Sequence, residues 1–381
     1  MTTIESAPAA ANPDGLPISG IIDSDVHPNF KDGLRDLTDY MSTSWQKKLG
    51  IGGELDWSSR YAAASYVLPL DYLYINSAGA YREDAIHDGQ APATDAVFSA
   101  KQLFDGHGID KGILIAGQLF GIGAFPDPDV AATVASAYND WMCERWLQVD
   151  PRYRGALAVA PQDPALAVKE IERVQGRPGI TSIFLPLHDI LHGERHYYPI
   201  YEAAQKYALP IMVHPSGTEN VFARAPRMAG TPTYYIEWHT ALSQIHQSNV
   251  LSLVCHGVFE RFPELMYIVC EGGFAWAAEV MWKLDRDRKG LGDEVPWLKK
   301  APSDYIRSNI RFTTQPMIEP HKREHLKTVL EMVYAEETLL FSSDYPHWDF
   351  DDPRRALAGI DKDLLQKICV DNPKAVYGDR L

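Results

Sequence analysis

The sequence predicts an α/β fold: a parallel barrel of eight βα units, (βα)8, with a long insertion after the first strand. Three observations predict it. Short apolar or β-branched runs recur along the 381 residues, each followed by a helical pattern, which is how repeated βα units read in sequence. Eight such runs can be counted, the number that closes a barrel, although an open doubly wound sheet produces a similar pattern. The length suits one α/β barrel carried as a single unit.

In chain order the eight runs are 20–27, 111–116, 154–160, 182–187, 209–215, 266–272, 310–315 and 339–347. Several intervening segments begin with Asp followed by Pro, at Asp127-Pro128, Asp163-Pro164 and Asp352-Pro353. Such a pair puts a capping acceptor ahead of a residue whose missing N–H is not needed in a first helical turn. After Asp163-Pro164, Ala167, Ile171 and Val174 recur at spacings of four and three, so one helix face can pack on a sheet. The insertion, about residues 29–110, contains Trp45, Trp57, Tyr61, Tyr66, Tyr72, Tyr74 and Tyr81. These aromatics either line a substrate pocket or form the core of a subdomain that covers one barrel end. Residues 1–19 read as a disordered tail and 20–381 as one barrel domain.

Composition narrows the function classes. Hydrophobic residues are 45% and charged residues 23%, the balance of a globular chain. No apolar run reaches the ~18 residues of a transmembrane helix. The N-terminus lacks the basic and apolar regions of a secretory signal. Net charge is −15, a field that repels phosphate backbones and argues against nucleic acid as a partner. Cys143, Cys255, Cys270 and Cys369 show no CxxC spacing and lie in apolar surroundings, which points to reduced thiols and a cytoplasmic setting.

Strand ends carry the chemistry. In a parallel barrel all C-terminal strand ends open on one face, where side chains distant in sequence converge. The first run ends Asp23-Ser24-Asp25-Val26-His27, and alternation places Asp25 and His27 on one side of the strand. The fifth ends Val213-His214-Pro215 and the eighth Ser343-Asp344-Tyr345-Pro346-His347. Asp25, His27, His214 and Asp344 thus form a set of two imidazoles and two carboxylates suited to one Zn²⁺, Mn²⁺ or Fe²⁺ ion, with positions left for water and substrate. A single strand-end His is ordinarily a hydrogen-bonded structural residue; the weight here comes from four candidates meeting at one face.

The runs IIDSDVHP, IMVHPSG, GVFERFPEL, EGGFAW, LLFSSDYPHWD and VDNPKAVYG, spread in order over residues 21–378, resemble the amidohydrolase-related family. That family includes aminocarboxymuconate semialdehyde decarboxylase and the metal-dependent aromatic acid decarboxylases. The resemblance implies a TIM-type barrel of the metal-dependent amidohydrolase kind with a mononuclear divalent metal. It maps the family's first-strand pair of histidines onto Asp25 and His27, its fifth-strand His onto His214 and its eighth-strand Asp onto Asp344. Two departures stand out. Asp25 replaces a histidine, which keeps a donor and adds negative charge, making the site harder and more tolerant of Mn²⁺. Glu271, in Glu271-Gly272-Gly273, stands where decarboxylase relatives have a sixth-strand proton-carrying histidine. Glu271 can take over acid/base work, or serve as a structural acceptor or as the partner of a metal-bound histidine. His256 precedes the sixth strand and is not assigned that role. The fourth run has no Lys or Glu to bridge two metals, which favours a single ion.

Two reactions fit these residues. In hydrolysis the metal activates a water and Asp344 or Glu271 takes its proton. In non-oxidative decarboxylation of an aromatic or unsaturated acid, Glu271 protonates carbon as CO₂ leaves. Loss of the sixth-strand histidine tilts the reading toward hydrolysis of a small cyclic or aromatic substrate. A catalytically inactive binding barrel is the third reading. Trp276, Tyr345, His347 and Trp348 are candidate substrate contacts. Arg224 and Arg227 either bind a substrate carboxylate or are solvated surface residues. Relatives of this kind imply a homodimer acting on a small molecule.

Overall fold

The eight apolar runs become strands because both of their faces are covered, which is why they read as continuous hydrophobic stretches and not as alternating ones. The computed structural model describes residues 16–51, 81–215 and 234–381. Its strands are β1 (Ile21–Val26), β2 (Ile109–Leu114), β3 (Tyr153–Ala158), β4 (Ile180–Phe184), β5 (Ile211–Val213), β6 (Tyr267–Val269), β7 (Ile310–Thr313) and β8 (Leu339–Leu340). Each overlaps one of the eight runs. They form one sheet in chain order, every neighbouring pair parallel. Ile113, Leu114, Leu157, Ile183, Phe184, Met212, Val213, Ile268 and Phe312 are fully buried in it, each stabilising the fold by about 1.5–3 kcal/mol relative to exposure.

Beyond Leu340 the chain runs on beside β1 and joins the two sheet edges. Ser24 N donates to Phe341 O (2.9 Å), Asp344 N to Asp25 O (3.1 Å) and His27 N to Tyr345 O (2.8 Å). Buried Asp23 fastens the seam by accepting hydrogen bonds from Ser343 N (2.9 Å), the Ser343 hydroxyl and Asp25 N (3.1 Å). These bonds make the sheet a barrel and exclude the open doubly wound alternative. They also lay the chain around Asp344 directly against the chain around Asp25 and His27.

The outer helices start where the Asp-Pro pairs predict. Asp127 accepts from Asp129 N and Val130 N ahead of the helix Pro128–Met142, and Asp163 from Ala165 N and Leu166 N ahead of Pro164–Val174. Each such cap is worth about 1 kcal/mol. Asp352 likewise accepts from Arg354 N at the short helix Pro353–Ala356. Ala167, Ile171 and Val174 are buried along the inner face of their helix.

Cys143, Cys270 and Cys369 are buried, Cys255 is half-buried, and all four are free thiols. Among the described residues no helix is long and apolar enough to cross a membrane. Of the aromatic residues in the insertion, Trp45 packs against the core and Tyr81 reaches the barrel rim. Trp57, Tyr61, Tyr66, Tyr72 and Tyr74 lie outside the described residues, as do Arg224, Arg227 and residues 1–15.

Candidate metal centre

The shortness of β5, β6 and β8 leaves the chain free to bend immediately after them, and the functional side chains stand on those bends. His214 follows β5 directly, Glu271 lies two residues past β6, Gln315 two past β7 and Asp344 four past β8. Glu271 (φ 47°) and Asp344 (φ 60°) adopt left-handed backbone conformations. For residues with a Cβ such conformations cost of order 1–3 kcal/mol and persist only where the surroundings impose them. Here they turn both carboxylates inward.

Asp25, His27, His214 and Asp344 meet on the rim, each offering a ligand atom within 4.8 Å of the others. His27 Nε2 is 3.0 Å from Asp25 Oδ1 and 2.8 Å from Asp344 Oδ1, and His214 Nε2 is 3.5 Å from Asp25 Oδ2. All four residues are at most 1% exposed. Despite these short separations, both Asp25 oxygens and both Nε2 atoms lack a hydrogen bond of acceptable geometry. Buried polar atoms left this way cost ~1–3 kcal/mol each, and donor atoms that crowd one another without bonding are what a shared cation resolves. His214 Nδ1 lies 2.7 Å from Pro215 O, which can only accept. The proton therefore resides on Nδ1, and Nε2 turns a lone pair toward the cluster, the tautomer a metal ligand needs. The Phe120 ring stacks on His214 (centroids 4.0 Å apart) and meets His27 edge-on (5.3 Å), closing the apolar side of the site.

The electrostatics are those of crowded buried charge. Burial opposes a charge on His27, but Asp25 and Asp344 outweigh it and hold the imidazole well above its usual range. Burial and the neighbouring His27 push His214 well below it. Burial would raise the Asp344 carboxyl; His347 and His27 overcome this and hold it below the ordinary range. Burial lifts Glu271 to about 7, with Asp344 and Asp349 adding to the rise and His239 opposing it.

A second group adjoins the first. Glu271 Oε2 is 3.0 Å from His214 Nε2, and Glu271 Oε1 is 3.5 Å from His239 Nε2, which is 3.3 Å from Asp349 Oδ2. Gln315 Nε2 donates to Asp344 Oδ2 (3.2 Å) and Asp349 Oδ2 (3.0 Å) and ties the two groups together. His347 also joins the rim: its Nδ1 is 2.6 Å from Asp344 Oδ1 and its ring stacks on Tyr81. Trp348, 43% exposed, stands 5.9 Å from the His239 ring. Two further sequence candidates are engaged in local contacts. Tyr345 is fully buried with its hydroxyl donated to Gln102 Oε1 (2.7 Å), and Trp276 donates its indole N–H to Gly272 O (2.8 Å) and packs edge-on against Phe312. Arg224 lies outside the described residues. His256 sits away from the rim, 3.6 Å from Glu194.

His239, Asp349 and Gln315 were not singled out from sequence. Asp349 closes the SDYPHWD run and Gln315 ends the seventh run, so both carry a strand-end signal. His239 lies in the helix Tyr235–Thr240, which no strand-end argument reaches.

An eight-stranded parallel barrel with this cluster on its rim defines an α/β-barrel enzyme with a candidate metal centre. The chain belongs to the amidohydrolase family, whose model matches residues 87–378. A gamma-resorcylate decarboxylase of Polaromonas sp. is 25% identical over 269 residues, 66% of this chain and 77% of that protein. The fold matches the crystal structure of 5-carboxyvanillate decarboxylase from Sphingomonas paucimobilis (TM-score 0.64, 20% identity, 94% of this chain and 98% of that one). It also matches the enzyme of that name from Novosphingobium aromaticivorans, complexed with manganese and 4-hydroxy-3-methoxy-5-nitrobenzoic acid (TM-score 0.65, 19% identity, 94% and 96%).

The gamma-resorcylate decarboxylase relative corrects the hydrolytic reading of the sequence, because it is named for removing a carboxyl group from an aromatic acid. The missing sixth-strand histidine had favoured hydrolysis. It does not separate the two reactions, since an imidazole from another segment, His239, stands against Glu271.

Proposed function

We propose that this protein is a metal-dependent, non-oxidative decarboxylase of a hydroxylated aromatic carboxylic acid. The observation that carries the proposal is the buried convergence of Asp25, His27, His214 and Asp344, with unbonded Nε2 and carboxylate atoms, in a chain whose relatives include gamma-resorcylate decarboxylases. Asp25, His27, His214 and Asp344 would hold one divalent ion, and the mixed oxygen and nitrogen donor set favours Mn²⁺ over a softer ion. When bound, the ion supplies positive charge that binds and orients substrate oxygen atoms.

The chain's own residues do the rest. Phe120 keeps water from one side of the cluster, as its stacking on His214 supports. Tyr81, His347 and Trp348 offer ring surface at the rim for a flat substrate. Glu271 lies between His214 and His239 and takes part in moving the proton that replaces CO₂. The reading includes a cytoplasmic homodimer, whose mass light scattering measures.

The test is direct. Purified protein loaded with Mn²⁺ is incubated with 2,6-dihydroxybenzoate and with 5-carboxyvanillate in ¹⁸O-labelled water. Release of CO₂ with no label in the phenolic product is expected. A Mn²⁺-loaded enzyme that releases no CO₂ from either acid, or from a wider panel of hydroxybenzoates, sinks the proposal.

A further inference from the structure

The sixth strand ends in a carboxylate, yet an imidazole reaches the same place from another part of the chain. His239 sits in the last turn of the helix Tyr235–Thr240, beyond β5. Its Nε2 lies between two carboxylates, 3.3 Å from Asp349 Oδ2 and 3.5 Å from Glu271 Oε1, aligned with neither well enough for a full hydrogen bond. The four residues of the metal cluster are at most 1% exposed, whereas the His239 side chain is 16% exposed and so meets solvent at the edge of the cluster.

We propose that His239 donates the proton that replaces CO₂ on the substrate's ring carbon, with Glu271 and Asp349 holding its imidazolium; this rests on the decarboxylase reading above. Two independent links fix the donor relative to the metal cluster. Glu271 touches His214 with one oxygen and faces His239 with the other. Gln315 bonds Asp344 and Asp349 with the same amide nitrogen. A path of contacts His214–Glu271–His239–Asp349–Gln315–Asp344 therefore borders the site. The charge state agrees with the geometry: burial opposes protonation, but Asp349 and Glu271 prevail and raise His239 to about 10, so it carries its proton at neutral pH. His347, the other rim histidine, is already bonded to Asp344.

The step balances without oxidant or reductant. The Nε2–H bond of the imidazolium breaks as a π pair of the ring forms a C–H bond at the carbon bearing the carboxylate. The bond from that carbon to the carboxylate then breaks, its electron pair restores the aromatic ring, and CO₂ departs. Neutral His239 recovers a proton from water, and the hydroxide left behind combines with the departing CO₂ as bicarbonate.

His239, Glu271 and Asp349 also offer ligand atoms within 4.8 Å of one another, so a second cation competes with the proton as an explanation of the cluster. One experiment separates them. Mn²⁺-loaded wild type and His239→Asn are compared for CO₂ release from 2,6-dihydroxybenzoate and 5-carboxyvanillate, for deuterium uptake into resorcinol in D₂O, and for metal per chain by elemental analysis. Expected is about one Mn²⁺ per chain in both proteins, with CO₂ release and ring deuteration both falling ~10²-fold or more in the variant. Wild-type rates in His239→Asn overturn the proposal, and so does a wild type with two ions per chain of which the variant keeps one. A wild type that binds Mn²⁺ but neither releases CO₂ nor exchanges deuterium overturns the decarboxylase reading and this proposal with it. If His239→Asn does not fold, His239→Gln is put through the same measurements with the same outcomes decisive.

Discussion

Glu271 joins two histidines from different parts of the chain: one oxygen lies 3.0 Å from His214 Nε2 and the other 3.5 Å from His239 Nε2. A carboxylate that contacts a cluster imidazole on one side and an outer imidazole on the other is placed to relay charge. Its left-handed backbone (φ 47°) shows that the fold holds it there at some cost.

Replacing Glu271 by Gln keeps the shape and removes the charge. Turnover should fall by ~10² or more while metal content stays at the wild-type level. Near-normal turnover in Glu271→Gln would make the residue a structural acceptor, and steady-state kinetics paired with elemental analysis decide it.

Metal removal should destabilise the fold, because the unbonded donors of Asp25, His27 and His214 lose their common partner. Chelator-treated protein should melt lower and recover on adding Mn²⁺, by about 2.7 kcal/mol at a metal concentration 100 times Kd. His214→Ala should show neither the loss nor the recovery. Equal Mn²⁺-dependent shifts in the two proteins, followed by calorimetry, would remove His214 from the ligand set.

Asp23 accepts hydrogen bonds from Ser343 N, the Ser343 hydroxyl and Asp25 N across the seam that closes the barrel. Asp23→Ala leaves buried donors unsatisfied and should cost about 2–3 kcal/mol in chemical denaturation. A loss below ~0.5 kcal/mol would show that the backbone bonds alone hold the seam.

His246 gives a pH signature distinct from catalysis. It is fully buried in the helix Ser243–Cys255, its ring abuts Gly272, and neither ring nitrogen has a hydrogen bond of acceptable geometry. Burial lowers its pKa from 6.5 to about 4, with the Cys270 backbone opposing the shift. The unfolded chain therefore binds this proton more readily than the folded one. The stability concerned is fully present above pH 6.5 and is lost as pH falls toward about 4, a change of roughly 3 kcal/mol. His246→Leu should flatten the acid side of a stability–pH curve in this window. An unchanged curve would show that other groups carry the acid response.

The sequence carried much of this architecture. Each of the eight strands overlaps one of the apolar runs, the Asp-Pro pairs cap their helices, and Ala167, Ile171 and Val174 line the buried helix face. Asp25, His27, His214 and Asp344 were legible because each lies near the C-terminal end of a run, and period-two alternation together with the shared rim of a parallel barrel sends such residues to one place. Tyr345 shows the limit of that logic. It lies in the same run as Asp344, yet its hydroxyl turns to Gln102, because the chain there pairs with β1 and directs alternate side chains apart.

By itself the sequence determined where the strands fall, where the helices start and which ligand-type residues stand near the strand ends, since these follow from local periodicity and capping chemistry. Only the tertiary structure decided that His239 faces Glu271, that Gln315 links Asp344 to Asp349, and that Tyr81 stacks on His347. Those contacts depend on where a helix and an insertion pack against the barrel. Such packing is fixed by the summed burial of many distant side chains, and no short stretch of sequence records it.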